Sequence, residues 1–176
     1  FKAPTPEELA HDFLWRIHKQ VPAKGEICVF NRSHYEDVLV ARVRNLAPRD
    51  VIEKRYDEIN AFERLLADGG VAIVKLFLLI SKVEQRERLQ ERIDLPEKRW
   101  KFNPGDLEDR KLWDDYMEAY EIALNRCSAP WAPWYVVPAD RNWYRDAVAA
   151  AIIRARLQAM DPRYPEKEID PTIRVV

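Results

Sequence analysis

The chain has 176 residues, 47% hydrophobic and 34% charged, which suits one globular domain with a sizeable core and excludes a disordered chain. Its 29 lysines and arginines nearly cancel its 30 aspartates and glutamates, and a net charge of -1 argues against a general nucleic-acid binder. With no apolar run of membrane-span length, no signal peptide, and two distant cysteines that fit neither zinc nor a disulfide framework, no membrane partner and a reducing cytoplasm are expected.

The first residues, Phe1-Lys2-Ala3-Pro4, lack an initiator methionine and read as the end of a strand running into a turn. Thr5-Pro6-Glu7-Glu8 is a helix start, with a hydroxyl cap, proline at the first position and acids in the first turn. Leu9, Phe13, Leu14, Ile17 and Val21 continue it at helical spacing to Pro22 and Gly25. Residues 27–30 read as a short strand buried on both faces, with Cys28 a small buried hydrophobe. That strand runs into the polar stretch NRSHYED at 31–37. A short helical stretch (38–43) follows, broken at Pro48. Val51, Tyr56, Ile59, Phe62, Leu65 and Leu66 then give an amphipathic helix closed by Gly69-Gly70.

VAIVKLFLLI (71–80) is the clearest strand and is expected at the centre of a parallel sheet. Ser81 caps the next helix, with Glu84 completing a capping box. Residues 95–106 read as a loop, and a long helix is expected over about 106–127. A strand (134–139), a helix (142–160) and an extended tail (161–176) complete the chain. Alternating strands and helices imply an α/β fold with a doubly wound, mostly parallel sheet. In such sheets ligands bind beyond the carboxyl ends of the strands. Residues 31–37, 81–101 and 138–143 fall there.

Each candidate has two readings. In 31–37, Arg32 offers a planar fork to a phosphate, and Glu36 and Asp37 offer oxygens to Mg²⁺. The same residues also read as a solvated turn in which Ser33 caps the next helix. Lys82, Arg86, Arg88, Arg92, Lys98, Arg99 and Lys101 form a basic arm that suits a polyanion. Interleaved Glu84, Glu87 and Glu91 fit a solvated helix equally well, whereas Arg99-Trp100-Lys101 lies in a loop. Trp131, Trp134, Tyr135, Trp143 and Tyr144 read mostly as core or subunit-interface aromatics. His11, His18 and His34 form no metal triad. The four glycines, Gly25, Gly69, Gly70 and Gly105, form no phosphate-cradling G-x-x-x-x-G-K-[ST] loop.

FNRSHYEDVL, INAFERLL, SKVEQRERLQERIDLPEKRWKF and WAPWYVVPADRNWYRD, in this order and spacing, resemble the polyphosphate kinase 2 family, from Phe1 to about Met160. FNRSHYED in place of the commoner FDRSWYNR is similar to the subgroup that phosphorylates nucleoside mono- and diphosphates. The resemblance implies a P-loop kinase fold like that of thymidylate kinase, with residues 1–160 as the core and about 81–112 as a helical lid. It implies phosphoryl transfer between inorganic polyphosphate and a nucleotide such as AMP or ADP, with Mg²⁺, in a homo-oligomer. The family's Walker A strand and helix would precede Phe1, so that the residues in hand carry part of the machinery.

By the same resemblance, Asn31 stands at the Walker B position, where a neutral amide is a weaker Mg²⁺ partner than the usual aspartate. Arg32 would hold a phosphate, and Glu36 would position the monophosphate acceptor, with Glu36 and Asp37 nearest the metal. Arg92, Arg99 and Lys101 match the basic lid positions. Lys75 falls on a family pattern too, as a phosphate-binding or structural lysine. Two rivals stay open: an ATP-dependent nucleoside monophosphate kinase, and a non-catalytic polyphosphate- or nucleotide-binding subunit.

Overall fold

A computed structural model describes residues 1–164, 168 and 174 of the chain. Most of the expected tail therefore lies outside the described residues. Thr5 caps α1 (Pro6–Leu9) in a full capping box, its hydroxyl accepting from Glu8 N–H while the Glu8 carboxylate accepts from Thr5 N–H. The expected continuous helix does not form. The Asp12 carboxylate accepts the Leu14 N–H at 3.0 Å, a local turn that competes with the helical ladder, and α2 (Trp15–His18) starts afresh.

Residues 27–30 do not form the buried strand expected of them. Ile27 and Val29 are 78% and 87% exposed, and Cys28 is exposed as well. A strand needs a neighbour's N–H and C=O groups, and among the described residues none pairs with this segment. Its last residue, Phe30, meets the Phe1 ring edge-on at 5.1 Å.

After a 3-10 turn at His34–Asp37 come α3 (Val40–Val43) and α4 (Arg49–Asp68). Gly70, at φ +91°, ends α4 in the left-handed region that glycine adopts without a Cβ penalty. The buried face of α4 is Ile52, Tyr56, Ile59, Phe62 and Glu63, spaced by three, four and one. It is turned slightly from the expected face, since Val51 and Leu65 are exposed. Ile52, Tyr56 and Ile59 join Tyr35, Val38 and Leu39, and the small Ala119, Ala123 and Cys127 let the later helix approach closely, forming the main core.

The sheet bears out the parallel α/β expectation. β1 (Lys75–Leu79) pairs in parallel with β2 (Trp134–Pro138), from Lys75 opposite Trp134 to Leu79 opposite Pro138. β1 is not central among the described residues, because only one of its edges is paired. The crossover contains α5 (Lys82–Asp94), a 3-10 helix at Pro96–Lys101 where a loop was expected, α6 (Gly105–Lys111) and α7 (Trp113–Arg126). The expected single helix over 106–127 is two. The end of α6 tightens to an i→i−3 bond, Leu112 N–H to Asp109 O, and Leu112 leaves the helical conformation at φ -92°, ψ 21° before α7 begins.

α8 (Asn142–Met160) follows β2 and buries none of its residues fully. Among the described residues no helix is long and apolar enough to cross a membrane.

Candidate active site

The polar stretch after residue 30 is a tightly specified turn. Ser33 is extended and its hydroxyl accepts the Tyr35 N–H at 3.3 Å, opening the 3-10 helix. One side of that helix faces inward, with His34 and Tyr35 buried. The other side carries Glu36 and Asp37, both half-buried. Just before it, Arg32 sits at φ 61°. A non-glycine residue there costs on the order of 1–3 kcal/mol and persists only where its surroundings impose it. Arg32 is exposed, and among the described residues its guanidinium makes no hydrogen bond or ion pair, so its donor fork is open to an anion.

The two carboxylates differ. Burial pushes Asp37 up and the Arg55 guanidinium pulls it back, at 3.5 Å from Oδ1, while Arg55 also donates to the Asp37 carbonyl at 2.9 Å. Burial pushes Glu36 up as well, and its main counterweight is Arg32. Asp37 is thus engaged with the protein, and Glu36 is the carboxylate on which the open arginine's charge acts. No group of three or more His, Cys, Asp or Glu side chains converges among the described residues. That donor set fits a divalent ion held by one or two carboxylates, water and substrate phosphates, and not an all-protein cage.

Tyr120 of α7 belongs to this surround, although its sequence context marks it only as a core residue. Burial raises its phenol first, and the Glu36 charge adds to that. Its ring stacks on Phe77 of β1 at 4.4 Å. Met117 and Trp113, one and two turns earlier on α7, line an open depression of about 490 Å³ at the carboxyl ends of both strands. Leu79, Ser81, Pro138 and Asp140 complete much of its wall. This is the sheet edge where the fold class places ligands.

At that edge Ser81 and Asp140 meet. The Ser81 hydroxyl accepts the Glu84 N–H at 3.0 Å, which is half of the expected capping box. The other half is replaced, because Ser81 N–H donates to Asp140 Oδ1 at 2.7 Å and Glu84 instead takes Arg88. Arg88 also donates to the carbonyls of Ala139 and Asp140 and to Asn142, so it ties α5 to the end of β2.

Beyond that tie the arm's cations are lightly held. Arg92 pairs with Asp106 at 2.9 Å with both side chains about a third exposed, and Lys98 meets Glu91 at 2.6 Å. Arg99 is exposed and donates only Nε, to the Ile93 carbonyl at 3.0 Å. The Lys101 ammonium lies 5.1 Å from the ring centre of Trp100, itself 78% exposed. No hydrogen bond or ion pair among the described residues joins these cations to Asn31, Arg32 or Glu36.

Lys75 departs from the phosphate-binding expectation. It is 7% exposed, and its three N–H groups go to Glu63 Oε2 at 2.5 Å, Cys127 O at 2.7 Å and the Tyr35 hydroxyl at 2.9 Å. An ammonium has three donors, so none is left for a phosphate. Its partner Glu63 also accepts from the Tyr35 hydroxyl at 2.9 Å and meets His34 Nε2 at 3.2 Å. The sequence held a signal for this cluster: one acid within INAFERLL and one base within VAIVKLFLLI, opposite in sign and each inside an apolar run.

Residues 1–167 match the family model of polyphosphate kinase 2. The chain is 60% identical over 168 residues to the AMP/ADP-polyphosphate phosphotransferase of Meiothermus ruber, covering 96% of this chain and 63% of that one. It is 43% identical to the ADP-polyphosphate phosphotransferase of Rhodopseudomonas palustris, covering 94% and 62%. The crystal structure of polyphosphate kinase 2 from Arthrobacter aurescens TC1 superposes with a TM-score of 0.94 at 49% identity, over 97% of this chain and 60% of that one. The chain thus spans about three fifths of the length of these relatives, and it belongs to the polyphosphate kinase 2 family.

Proposed function

We propose that the protein of which this chain forms the kinase core transfers a phosphoryl group between inorganic polyphosphate and AMP or ADP. The observation that carries the reading is Arg32: a residue with left-handed backbone whose exposed guanidinium has no hydrogen-bond or ion-pair partner among the described residues, and whose charge acts on the half-buried Glu36 carboxylate. The activities for which the relatives from M. ruber and R. palustris are named support the same chemistry. In the transfer, an acceptor phosphate oxygen attacks the terminal phosphorus of polyphosphate, and the bridging P–O bond breaks with its electron pair leaving on the shortened chain. Such transfer depends chiefly on positioning and on neutralising charge. Arg32 holds the transferring or acceptor phosphate, and Glu36, with Asn31 at the start of the same turn, orients the acceptor. A bound Mg²⁺ would add charge neutralisation across the phosphates, with Glu36 and Asp37 the nearest carboxylates.

In this reading residues 1–160 form the core and 81–112 the lid, and Arg92, Arg99 and Lys101 supply the polyanion track. Arg92 and Lys101 have only weak surface partners to give up, and Arg99 keeps most of its fork free. The protein works in the cytoplasm as a homo-oligomer and engages neither nucleic acid nor membrane. The test is a donor–acceptor assay on the full-length gene product, with polyphosphate and AMP or ADP supplied separately. Formation of ADP from AMP and ATP from ADP is expected. Turnover with ATP but not polyphosphate would identify an ATP-dependent monophosphate kinase. Binding of polyphosphate with no transfer from either donor would identify a binding subunit.

A further inference from the structure

We propose that Glu63 is the positioning residue of the 31–37 turn, a buried carboxylate that, held in place by Lys75, fixes where Arg32 and Glu36 stand. The inference rests on the function proposed above for its effect on turnover, but its structural core is independent of it.

Both partners are in the interior, Glu63 at 1% exposure and Lys75 at 7%. An ion pair there is a poor source of stability, because removing two charges from water offsets most of their attraction, and an apolar pair of like volume does as well or better. What the pair supplies is direction. Glu63 Oε2 is taken by Lys75, which leaves Oε1 to receive Tyr35 and His34 together. Those two residues are the inward half of a four-residue 3-10 helix whose outward half carries Glu36. In so short an element, fixing two side chains fixes the rest.

The remaining contacts agree. His34 Nδ1 is buried without a partner among the described residues, so Glu63 is the one polar group that orients this ring. The Tyr35 ring packs edge-on against Trp134 at 4.7 Å, and Lys75 is anchored a third time on the Cys127 carbonyl. α4, β1, the end of α7 and the start of β2 thus converge on two side chains of the turn. Arg55 pins its far end through Asp37. Arg32 precedes all this, in a backbone conformation that a loose turn would not keep.

The experiment uses the full-length protein and the paired variant Glu63→Gln/Lys75→Met, which removes both charges while leaving an amide oxygen for Tyr35 and His34. Three quantities are measured: the urea unfolding midpoint, amide hydrogen exchange without substrate, and kcat and KM with polyphosphate and AMP. The paired variant should unfold cooperatively near the wild-type midpoint. The amides of Tyr35, Glu36 and Val38, which donate within the turn, should exchange at least tenfold faster, kcat should fall at least tenfold, and KM for polyphosphate should stay within twofold. Wild-type exchange at those amides, or wild-type kcat per folded molecule, overturns the proposal. If the paired variant does not fold, Tyr35→Phe takes its place. It keeps the ring and deletes one of the Glu63 bonds, and faster exchange at Glu36 and Val38 is expected, with unchanged exchange overturning the proposal. If the wild-type protein shows no transfer at all, the functional reading fails, while the exchange data still decide whether Glu63 holds the turn.

Discussion

Lys75 and Arg99 carry the same charge, but Lys75 is 7% exposed with every N–H group used, whereas Arg99 lies exposed on the arm with a single bond to a carbonyl. A charge in the dry interior must be matched donor for donor, because each unmatched group keeps its full desolvation cost. A charge on a wet arm can exchange partners at little cost, because water stands in for whatever leaves. The first arrangement holds a shape, and the second is suited to gripping a polyanion and letting it go. Family resemblance alone groups both residues as basic family positions, and only their surroundings separate them.

Four experiments would break or sharpen that contrast. The largest effect is expected from Lys75→Ala, which strands the Glu63 carboxylate in the core. It should cost about 3–5 kcal/mol in urea unfolding. A loss below about 1 kcal/mol would mean that the interior is wetter than the geometry implies. Arg32→Gly comes next and should act in opposite directions on two readouts. Glycine relieves the left-handed backbone, so stability should rise by up to about 1 kcal/mol, while phosphoryl transfer falls roughly a hundredfold with the loss of the guanidinium. Arg99→Ala should leave the unfolding midpoint unchanged and lower turnover with polyphosphate about tenfold, since one charge-assisted contact is lost. Unchanged turnover would remove Arg99 from the site.

The smallest effect concerns Glu53, which lies between the two extremes. It receives Arg42 Nη1 at 2.7 Å and also pairs with Arg126, and the Arg42 hydrogen bond is the main reason its carboxyl titrates below the usual range. Because its side chain is 44% exposed, solvent screening limits the bridge to about 1 kcal/mol or less. The folded state binds this proton less readily than the unfolded state. The stabilisation is therefore complete above the ordinary glutamate value of 4.5 and fades as pH falls through the lowered folded value. Glu53→Gln should thus be less stable than wild type at pH 7, and the difference should vanish in acid. A constant difference across that range would assign the effect to packing.

Much of this was legible in the sequence, and the failures share a cause. The capped start at Thr5, the long helix ended by Gly70, the parallel strands and the last helix follow from local signals: a hydroxyl, a glycine, a run of branched residues. Residues 27–30 form no strand although they look like one, because an apolar run describes what a strand would bury and says nothing about the neighbour it needs. The helix expected from Pro6 to Val21 fails at Asp12, where a side chain outcompetes the backbone ladder over a single turn. At the candidate site, Arg32 and Glu36 were visible as residue types in order, and what the structure adds is an Arg32 guanidinium with no partner among the described residues. The role of Glu63 was not, because its partners lie 12, 28 and 29 residues away and meet only through the fold.

The tie between α5 and the end of β2 also has a mechanical side. Ser81 and Arg88 fasten the first turns of α5 to residues 139–142, and Arg110 closes the arm by donating to the Lys82 carbonyl and to Gln85. The arm is therefore a lever bolted at one end, with its fulcrum at residues 81–88 and Arg99 and Lys101 near the far tip. α5 runs 13 residues, and the part beyond Arg88, at 1.5 Å per residue, makes a lever about 9 Å long. A tilt of about 10° at the bolt would sweep the end of α5 through roughly 1.5 Å, about half the span of one hydrogen bond. Any adjustment where Asp140 meets Ser81 would therefore be felt at the end of the arm that carries the exposed cations.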